Sequence, residues 1–408
     1  MLATPEIIQE AAQLSRLGDL LPRWRELPLY QYALNQPDFF RLPFITKREL
    51  RQDFPQNFLR PNQNLDSLLE SKLVELEHTS GTSDERTAVL FGRGWWNEQE
   101  ASVLRLNHFV TGVLDEFPNA RRATLTPPVC NGLVCFSNWH SKSARTLDHT
   151  LFVNLARIPF LLSDKELARM ADEISEWSPQ FLDLDPVHGV WFALYCERLG
   201  LRFPSVKFIL CSYEFVSVVH RRIIERVFGV PIFNLYGSTE TGHLLMENER
   251  GEMKPAYENI FYEIANPDER GIGDLVVTTL TNDIMPLVRY RIGDLVQRCE
   301  QPYATNYPVH GRSRDTLLRR DGRRVTTLDV DQFFQGVDGV AHYQLRQLES
   351  GDCRLQFVPD RVAPDAETLQ RLTARLETLL QLSTPIVTEA VTMLPPTPSG
   401  KFRLTLLD

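Results

Sequence analysis

A lysine on a proline-rich segment is the first candidate for chemistry in this chain. Pro395, Pro396 and Pro398 precede the run Ser399-Gly400-Lys401. Because proline restricts the backbone, this segment suits a stiffly approached loop that carries one positive charge into a cleft. An ammonium placed there could stabilise the negative charge that develops when a carboxylate attacks a phosphate. Taken alone, the segment would be only a basic tail.

A small polar turn is the second candidate. Consecutive backbone N–H groups and hydroxyls in such a turn can hold phosphate oxygens. Leu73 to Glu77 and Thr87 to Phe91 alternate like strands, which places the turn between two strands. The turn is not a Walker loop, because Gly-Lys-Ser/Thr is missing and no helix follows. Its candidate ligands are Thr79, Ser80, Gly81, Thr82 and Ser83.

The most specific internal motif runs from Tyr236 to Glu240. A tyrosine ring can stack on a purine, the hydroxyl of Thr239 can donate to an α-phosphate, and Glu240 can hold Mg²⁺. Gly237 and Ser238 complete the motif. The competing interpretation is a β-turn after a buried strand with an exposed glutamate.

Two further residues suit a sugar. Asp294 can accept from the two ribose hydroxyls, and Arg312 can donate to the same ribose. Either side chain could instead be half of a surface ion pair.

The predicted secondary structure that must position these residues differs between parts of the chain. Between about residues 120 and 240, short apolar runs alternate with amphipathic stretches, which predicts parallel βαβ units with ligands at the strand C-termini. The expected strands are Ala123–Leu125, Phe181–Leu184, Val206–Cys211 and Ile232–Leu235, and the expected helices are Asp164–Trp177, Val187–Leu199 and Val216–Phe228.

After residue 255 strands dominate, at Phe261–Ile264, Leu275–Thr279 and Leu287–Arg291. Beyond Gly311, a hairpin at Asp321-Gly322 between strands 316–319 and 323–328, a second hairpin at Gly351-Asp352 and a helix over 366–382 predict a small α+β unit. The predicted fold class is therefore α/β. A large domain, residues 1–310, has mostly parallel sheets flanked by helices plus a β-rich portion, and a small mobile domain spans 311–408.

Composition excludes some function classes. The 408 residues carry a net charge of -9 with a pI near 5.6, which argues against nucleic acid as the main partner. No apolar run approaches the roughly 18 residues that cross a bilayer, and the acidic start has no basic region typical of a secretory signal. The six cysteines have no metal-ligand spacing, so we expect free thiols in a cytoplasmic protein.

Five blocks, in their order along the chain, resemble the acyl- and aryl-adenylating superfamily, which activates carboxylic acids with ATP. They are His78–Ser83, Asn234–Glu240, Tyr290–Asp294, Gly311–Asp315 and Pro395–Arg403. A closer resemblance is to the phenylacetate–coenzyme A ligase branch. It is carried by Leu42–Lys47, Trp95-Trp96, the segment around Glu214 and Pro286–Arg291.

The resemblance implies an AMP-forming ligase. ATP and Mg²⁺ would convert an acid to an acyl-adenylate, and a thiol of coenzyme A or of a carrier-protein phosphopantetheine would then take the acyl group. It makes Lys401, Thr239 and Glu240 catalytic, assigns Glu214 to the nucleotide site, and implies a hinge near Arg314. Two departures stand out: Asp84-Glu85 replace the usual Gly-Lys of the phosphate loop, and arginine stands at the hinge.

The resemblance also implies an acid pocket near Pro127–His140, with Phe136, Trp139 and His140 as walls, although each aromatic could be plain core. The segment has no aspartate to pair an α-amine, which favours an aryl or aliphatic acid. The acceptor stays open among coenzyme A, an acyl or peptidyl carrier protein, a protein cysteine and an amine. Alternatives are an acyl-protein or amide-forming synthetase and a catalytically impaired nucleotide-binding relative. A homodimer is a further possibility.

Overall fold

The computed structural model describes residues 5–31, 38–79, 86–126, 141–156, 158–301, 304–398 and 400–408. The helices in chain order are α1 Pro5–Trp24, α2 Lys47–Arg51, α3 Leu65–Glu70, α4 Trp95–Leu104, α5 His108–Glu116, α6 Asp164–Trp177, α7 Pro186–Leu199, α8 Val218–Phe228, α9 Thr327–Asp331 and α10 Ala366–Leu380.

The strands are β1 Val74–His78, β2 Ala88–Gly92, β3 Arg122–Leu125, β4 Thr146–Leu147, β5 Thr150–Phe152, β6 Phe181–Leu184, β7 Phe208–Cys211, β8 Ile232–Ser238, β9 Gly242–Glu247, β10 Met253–Pro255, β11 Ile260–Ala265, β12 Ile272–Thr279, β13 Tyr290–Gln297, β14 Cys299–Gln301, β15 Ala304–Asn306, β16 Val309–Arg312, β17 Leu317–Leu318, β18 Arg324–Val325, β19 Val340–Gln347, β20 Cys353–Pro359, β21 Val387–Ala390 and β22 Thr405–Leu407.

Packing groups the chain into two compact units. The first unit is Met1–Thr111 with Leu235–Val309, and the second is Gly112–Asn234 with His310–Asp408. The functional division at residue 311 stays a prediction. None of the helices in the described part of the chain has both the length and the apolar character needed to cross a bilayer.

The second unit contains the predicted parallel sheet. β3 pairs with β6, β6 with β7, and β7 with the first half of β8, all in parallel. All residues of β6 and β7 are buried, as expected of strands covered on both faces. Helices α6, α7 and α8 connect these strands, so the βαβ prediction is confirmed.

The rest of the second unit is a small α+β segment. Its sheet has the order β21-β20-β19-β22, and α10 supplies part of the core beneath it. The hairpin at Asp321-Gly322 is confirmed, but its second strand ends at Val325 instead of Leu328. Thr326 and Asp329 form a capping box that starts α9, and this local helix signal ends the strand.

The first unit is mainly antiparallel. β1 pairs with β2, and β12 pairs with both β11 and β13. The strand predicted to begin at Leu287 begins at Tyr290 instead. Arg289 has a φ of 50°, a left-handed conformation that cannot continue a strand. The α/β fold class with a β-rich portion is confirmed.

Candidate active site

The motif from Tyr236 to Glu240 forms one side of the β8–β9 hairpin. Its first three residues belong to β8, so the motif does not simply follow the strand as predicted. A Cβ at Gly237 would lie 2.4 Å from the carbonyl oxygen of Gly242, so only glycine fits this approach of the two strands. Thr239 and Glu240 lie in the turn, where Glu240 is 4% exposed. The interpretation as a turn with an exposed glutamate is therefore wrong.

Glu240 has two partners besides its own turn. Its Oε1 lies 2.8 Å from Nζ of Lys47 and accepts from the Tyr290 hydroxyl at 3.1 Å. Burial raises the pKa of Glu240, but Lys47, with smaller contributions from a backbone N–H and the Ser238 hydroxyl, outweighs burial and lowers that pKa to about 2. The carboxylate is therefore ionised at any physiological pH.

Lys47 reaches Glu240 because backbone hydrogen bonds hold the preceding residue Ile45 in place. Ile45 donates from its N–H to the carbonyl of Arg289 at 3.2 Å and accepts from the N–H of Arg291 at 2.9 Å. Thr46 and Glu49 form a capping box that starts α2 at Lys47. Two of the sequence blocks that carry the resemblance, Leu42–Lys47 and Pro286–Arg291, therefore both contact Glu240. The sequence pattern predicted no chemical role for Lys47, although the missing lysine of the phosphate turn indicated that another cation takes its place.

Asp294 meets Tyr236 in the first unit. The Tyr236 hydroxyl donates to Oδ2 of Asp294 at 2.7 Å, and Asp294 is 6% exposed. The pairing of β12 and β13 shifts beside Asp294, where Gly293 has a φ of 92°. Such a bulge re-aims a side chain that a regular strand would direct elsewhere. A carboxylate held beside a tyrosine suits the predicted contacts with a ribose and a purine.

The polar turn is described only at its base. Thr79 is buried, and its hydroxyl accepts from the Thr87 N–H at 3.0 Å, which closes the hairpin. Ser80, Gly81, Thr82 and Ser83 lie outside the described residues, as do Phe136, Trp139 and His140. Arg312 ends β16 in the second unit, and its charge acts on Asp315.

In the second unit, a cluster of polar residues lies where the parallel strands β6 and β7 end. Asp185 follows β6 and caps α7, with Oδ1 accepting from the N–H groups of Val187 and His188 at 3.0 and 3.1 Å. Its Oδ2 is buried and accepts no hydrogen bond among the described residues. Tyr213 and Glu214 follow β7. Parallel sheets commonly bind ligands at this edge.

Lys401 lies at the same edge of the second unit. Its Nζ donates to the Tyr213 carbonyl at 3.0 Å, and the next residue, Phe402, donates from its N–H to Oε1 of Glu214 at 2.9 Å. Burial and the charge of Asp185 raise the pKa of Glu214, while Lys401 opposes that rise. Burial likewise raises the pKa of Asp185. The ammonium of Lys401 thus acts on the carboxyl groups of both Asp185 and Glu214, which cannot both ionise easily.

Glu240 fits a magnesium ion held with phosphate. In the described part of the chain, no three His, Cys, Asp or Glu side chains come together as a metal site. Mg²⁺ at nucleotide sites needs only one or two carboxylates, with phosphate oxygens and water completing its ligands. A buried, ionised carboxylate beside Ser238 and Thr239 meets that requirement. The ion would draw phosphate oxygens toward this turn and neutralise their charge.

The fold has counterparts among solved structures. 2-Hydroxyisobutyryl-CoA ligase in complex with 2-HIB-AMP matches with a TM-score of 0.72, covering 100% of this chain and 90% of that one at 17% identity. An anthranilate CoA ligase in complex with anthranoyl-AMP matches with a TM-score of 0.57 over 80% of this chain and 64% of its own, at 16% identity. The chain therefore has the fold of the AMP-forming adenylating ligases.

Sequence comparisons show what the chain resembles. Protein CapK of Staphylococcus aureus is 25% identical over 57% of this chain and 54% of its own length, and a phenylacetate–coenzyme A ligase of Thermus thermophilus is 27% identical over 42% and 43%. The chain spans about half the length of these curated relatives. No family model matches it. The predicted resemblance to the phenylacetate–coenzyme A ligase branch is confirmed.

Proposed function

We propose that the protein is an AMP-forming ligase that activates a carboxylic acid with ATP and passes the acyl group to the thiol of coenzyme A. The observation that carries this proposal is the position of Lys401. On a chain with the fold of the adenylating ligases, its ammonium lies at the carboxyl edge of a parallel sheet, 3.0 Å from the Tyr213 carbonyl.

The role of Lys401 follows from charge. When a carboxylate attacks the α-phosphate of ATP, negative charge gathers at phosphorus, and pyrophosphate leaves as the acyl–phosphate bond forms. An ammonium that contacts both reactants stabilises that charge and orients the carboxylate. This half-reaction needs no general acid or base. The proposed acids are aryl or aliphatic, with Phe136, Trp139 and His140 as pocket walls.

The first unit supplies the nucleotide contacts. Tyr236 and Asp294 suit the purine and the ribose, and Glu240 suits Mg²⁺. Lys47 provides the cation that the phosphate turn lacks, since Asp84 and Glu85 stand where the family usually has Gly-Lys. The Lys47 side chain is 36% exposed, and its ammonium can exchange Glu240 for phosphate oxygens while Lys47 stays in its helix.

The test has two stages. Exchange of labelled pyrophosphate into ATP is measured with a panel of aryl and aliphatic acids, and the active acids are then offered with coenzyme A or with a phosphopantetheinylated carrier protein. We expect acid-dependent exchange and a thioester of coenzyme A. Tight ATP binding without exchange on any acid would indicate an impaired nucleotide-binding relative, and a product on the carrier protein alone would replace coenzyme A as acceptor.

A further inference from the structure

The Lys401 loop is held at two points by the segment that follows β7. The Tyr213 carbonyl accepts from Nζ of Lys401, and Oε1 of Glu214 accepts from the backbone N–H of Phe402. One contact fixes the side chain, and the other fixes the backbone one residue later. Together the two hydrogen bonds determine the position of the Lys401 ammonium.

Tyr213 holds its carbonyl in place through an unusual backbone conformation. Its φ is 72°, a left-handed value that costs free energy for a large aromatic residue. The conformation is supported by Asp183 of β6, whose Oδ2 accepts from the Tyr213 hydroxyl at 3.2 Å and whose Oδ1 accepts from the Ser212 hydroxyl at 2.7 Å. The buried sheet therefore fixes this acceptor.

The loop itself can transmit a restraint from Phe402 to Lys401. The carbonyl of Lys401 accepts from the N–H of Thr397 at 2.7 Å and from its hydroxyl at 2.9 Å, and the N–H of Gly400 donates back to Thr397 at 2.8 Å. The turn is thus closed by its own hydrogen bonds. A closed turn moves as one piece, so releasing Phe402 from Glu214 displaces the ammonium.

We propose that Tyr213 and Glu214 form a seat for the Lys401 loop, and that Glu214 is a positioning residue that acts through Lys401 instead of a nucleotide ligand. The consequence for rate rests on the proposed function, whereas the seat is a property of the folded chain. On this proposal Glu214 does not bind ATP, as the resemblance had implied, but positions Lys401.

Kinetics separate the two roles of Glu214. Losing this partly buried hydrogen bond in Glu214→Ala should lower kcat of pyrophosphate exchange about tenfold while the KM for ATP stays within about twofold. Glu214→Gln keeps an acceptor oxygen and should recover most of that rate. Adding Glu214→Ala to Lys401→Ala should cost nothing more, since residues that act together are not additive. A raised KM for ATP, or additive losses, would overturn the proposal.

A second readout needs no activity. Trypsin cleaves after Lys401 and Arg403, and a seated loop should resist it. We expect Glu214→Ala to speed this cleavage, and Glu214→Gln to slow it again. Glu377→Ala is the matched control, because Glu377 also accepts a backbone N–H, that of Ile386 at 2.8 Å. Unchanged cleavage in Glu214→Ala would refute the seat even in an active enzyme. Altered cleavage without exchange on any acid would keep the seat and refute the proposed function.

Discussion

Nζ of Lys47 lies 2.8 Å from Oε1 of Glu240, which joins the first residue of α2 to the turn between β8 and β9. The Glu240 side chain is almost fully buried, while the Lys47 side chain is about one-third exposed. This pair brings one positive charge to the carboxylate that we assign to Mg²⁺, so the ion and the lysine compete for the same oxygen.

Replacing Lys47 should therefore move metal and nucleotide affinity in opposite directions. In Lys47→Met, Mn²⁺ as a spectroscopic substitute should bind more tightly without nucleotide, because a nearby positive charge is gone. The KM for ATP should rise about tenfold, the range expected for one lost charge-assisted contact. Lys254→Met, which breaks the 2.8 Å pair with Glu252, is the control. Unchanged affinities for both would show that Lys47 is only structural.

Glu240 should be needed for the metal. Glu240→Gln removes the charge at nearly the same volume, so Mn²⁺ binding and the rate of adenylate formation should both fall while the circular dichroism spectrum is kept. Titration of Mn²⁺ by electron paramagnetic resonance measures the first effect, with Glu252→Gln as control. A variant with wild-type metal affinity would refute the assignment of Mg²⁺ to this turn.

Lys401 should act on the rate more than on binding. Lys401→Ala is expected to lower adenylate formation by roughly two to three powers of ten, the scale of a lost transition-state charge contact. The dissociation constant of the acid should change little. Lys165→Ala, at an exposed position of α6, should behave as the wild type. Wild-type exchange rates in Lys401→Ala would exclude the proposed role.

The predicted hinge can be tested at Arg314, which is exposed in the short turn after β16. Proline fixes φ and removes a donor, so Arg314→Pro should restrict rotation there. Thioester formation should then fall at least about tenfold more than adenylate formation, because only one conformational step is blocked. Arg314→Gln should spare both half-reactions. Equal losses with a lowered melting temperature would mean misfolding, and unchanged rates would exclude rotation about this residue.

A buried histidine pair should make the protein sensitive to acid. Nε2 of His220 on α8 lies 2.9 Å from Nδ1 of His342 on β19. Burial lowers the pKa of His342 to about 3 and, together with His342, lowers that of His220. Unfolded histidine titrates near pH 6.5, so between these values the unfolded chain binds more protons, and the free energy of unfolding falls as the pH falls.

This dependence can be measured by urea unfolding at several pH values below 6.5. His342→Phe removes one of the two groups, so the slope of unfolding free energy against pH should decrease by up to about 1.4 kcal/mol per pH unit. Asp331, whose pKa burial raises to about 6, contributes with the opposite sign but is common to both proteins. His149→Phe, at an exposed position, should leave the slope unchanged. An unaltered slope in His342→Phe would contradict the prediction.

The sequence predicted well what local patterns encode. The bounds of α6 and β6 agree with the expected ones residue for residue, because burial on one or both faces leaves a periodic pattern. The pairing of Lys47 with Glu240 could not be predicted, since it depends on the bridge between Ile45 and Tyr290, which are far apart in sequence. The left-handed backbone conformations of Arg289 and Tyr213 could not be predicted for the same reason.

Arg289 and Tyr213 illustrate that limit. Both have left-handed backbones that their residue types disfavour, and each is supported by partners distant in sequence. Arg289 pairs with Glu263 at 2.7 Å, and Tyr213 donates to Asp183. Because propensity describes a residue with its neighbours only, such tertiary compensation leaves no local signal.

The strand order of the parallel sheet has a consequence for synthesis on the ribosome. β6 pairs with β3, β7 with β6, and β8 with β7, so each later strand adds to the edge formed by an earlier one. Chains emerge from the N-terminal side first, so this sheet, with Asp185 and Glu214 at its edge, can form while the nascent chain is still being extended. Lys401 is translated long after β8. A stalled chain that ends before Lys401 would therefore have the acidic edge without its ammonium.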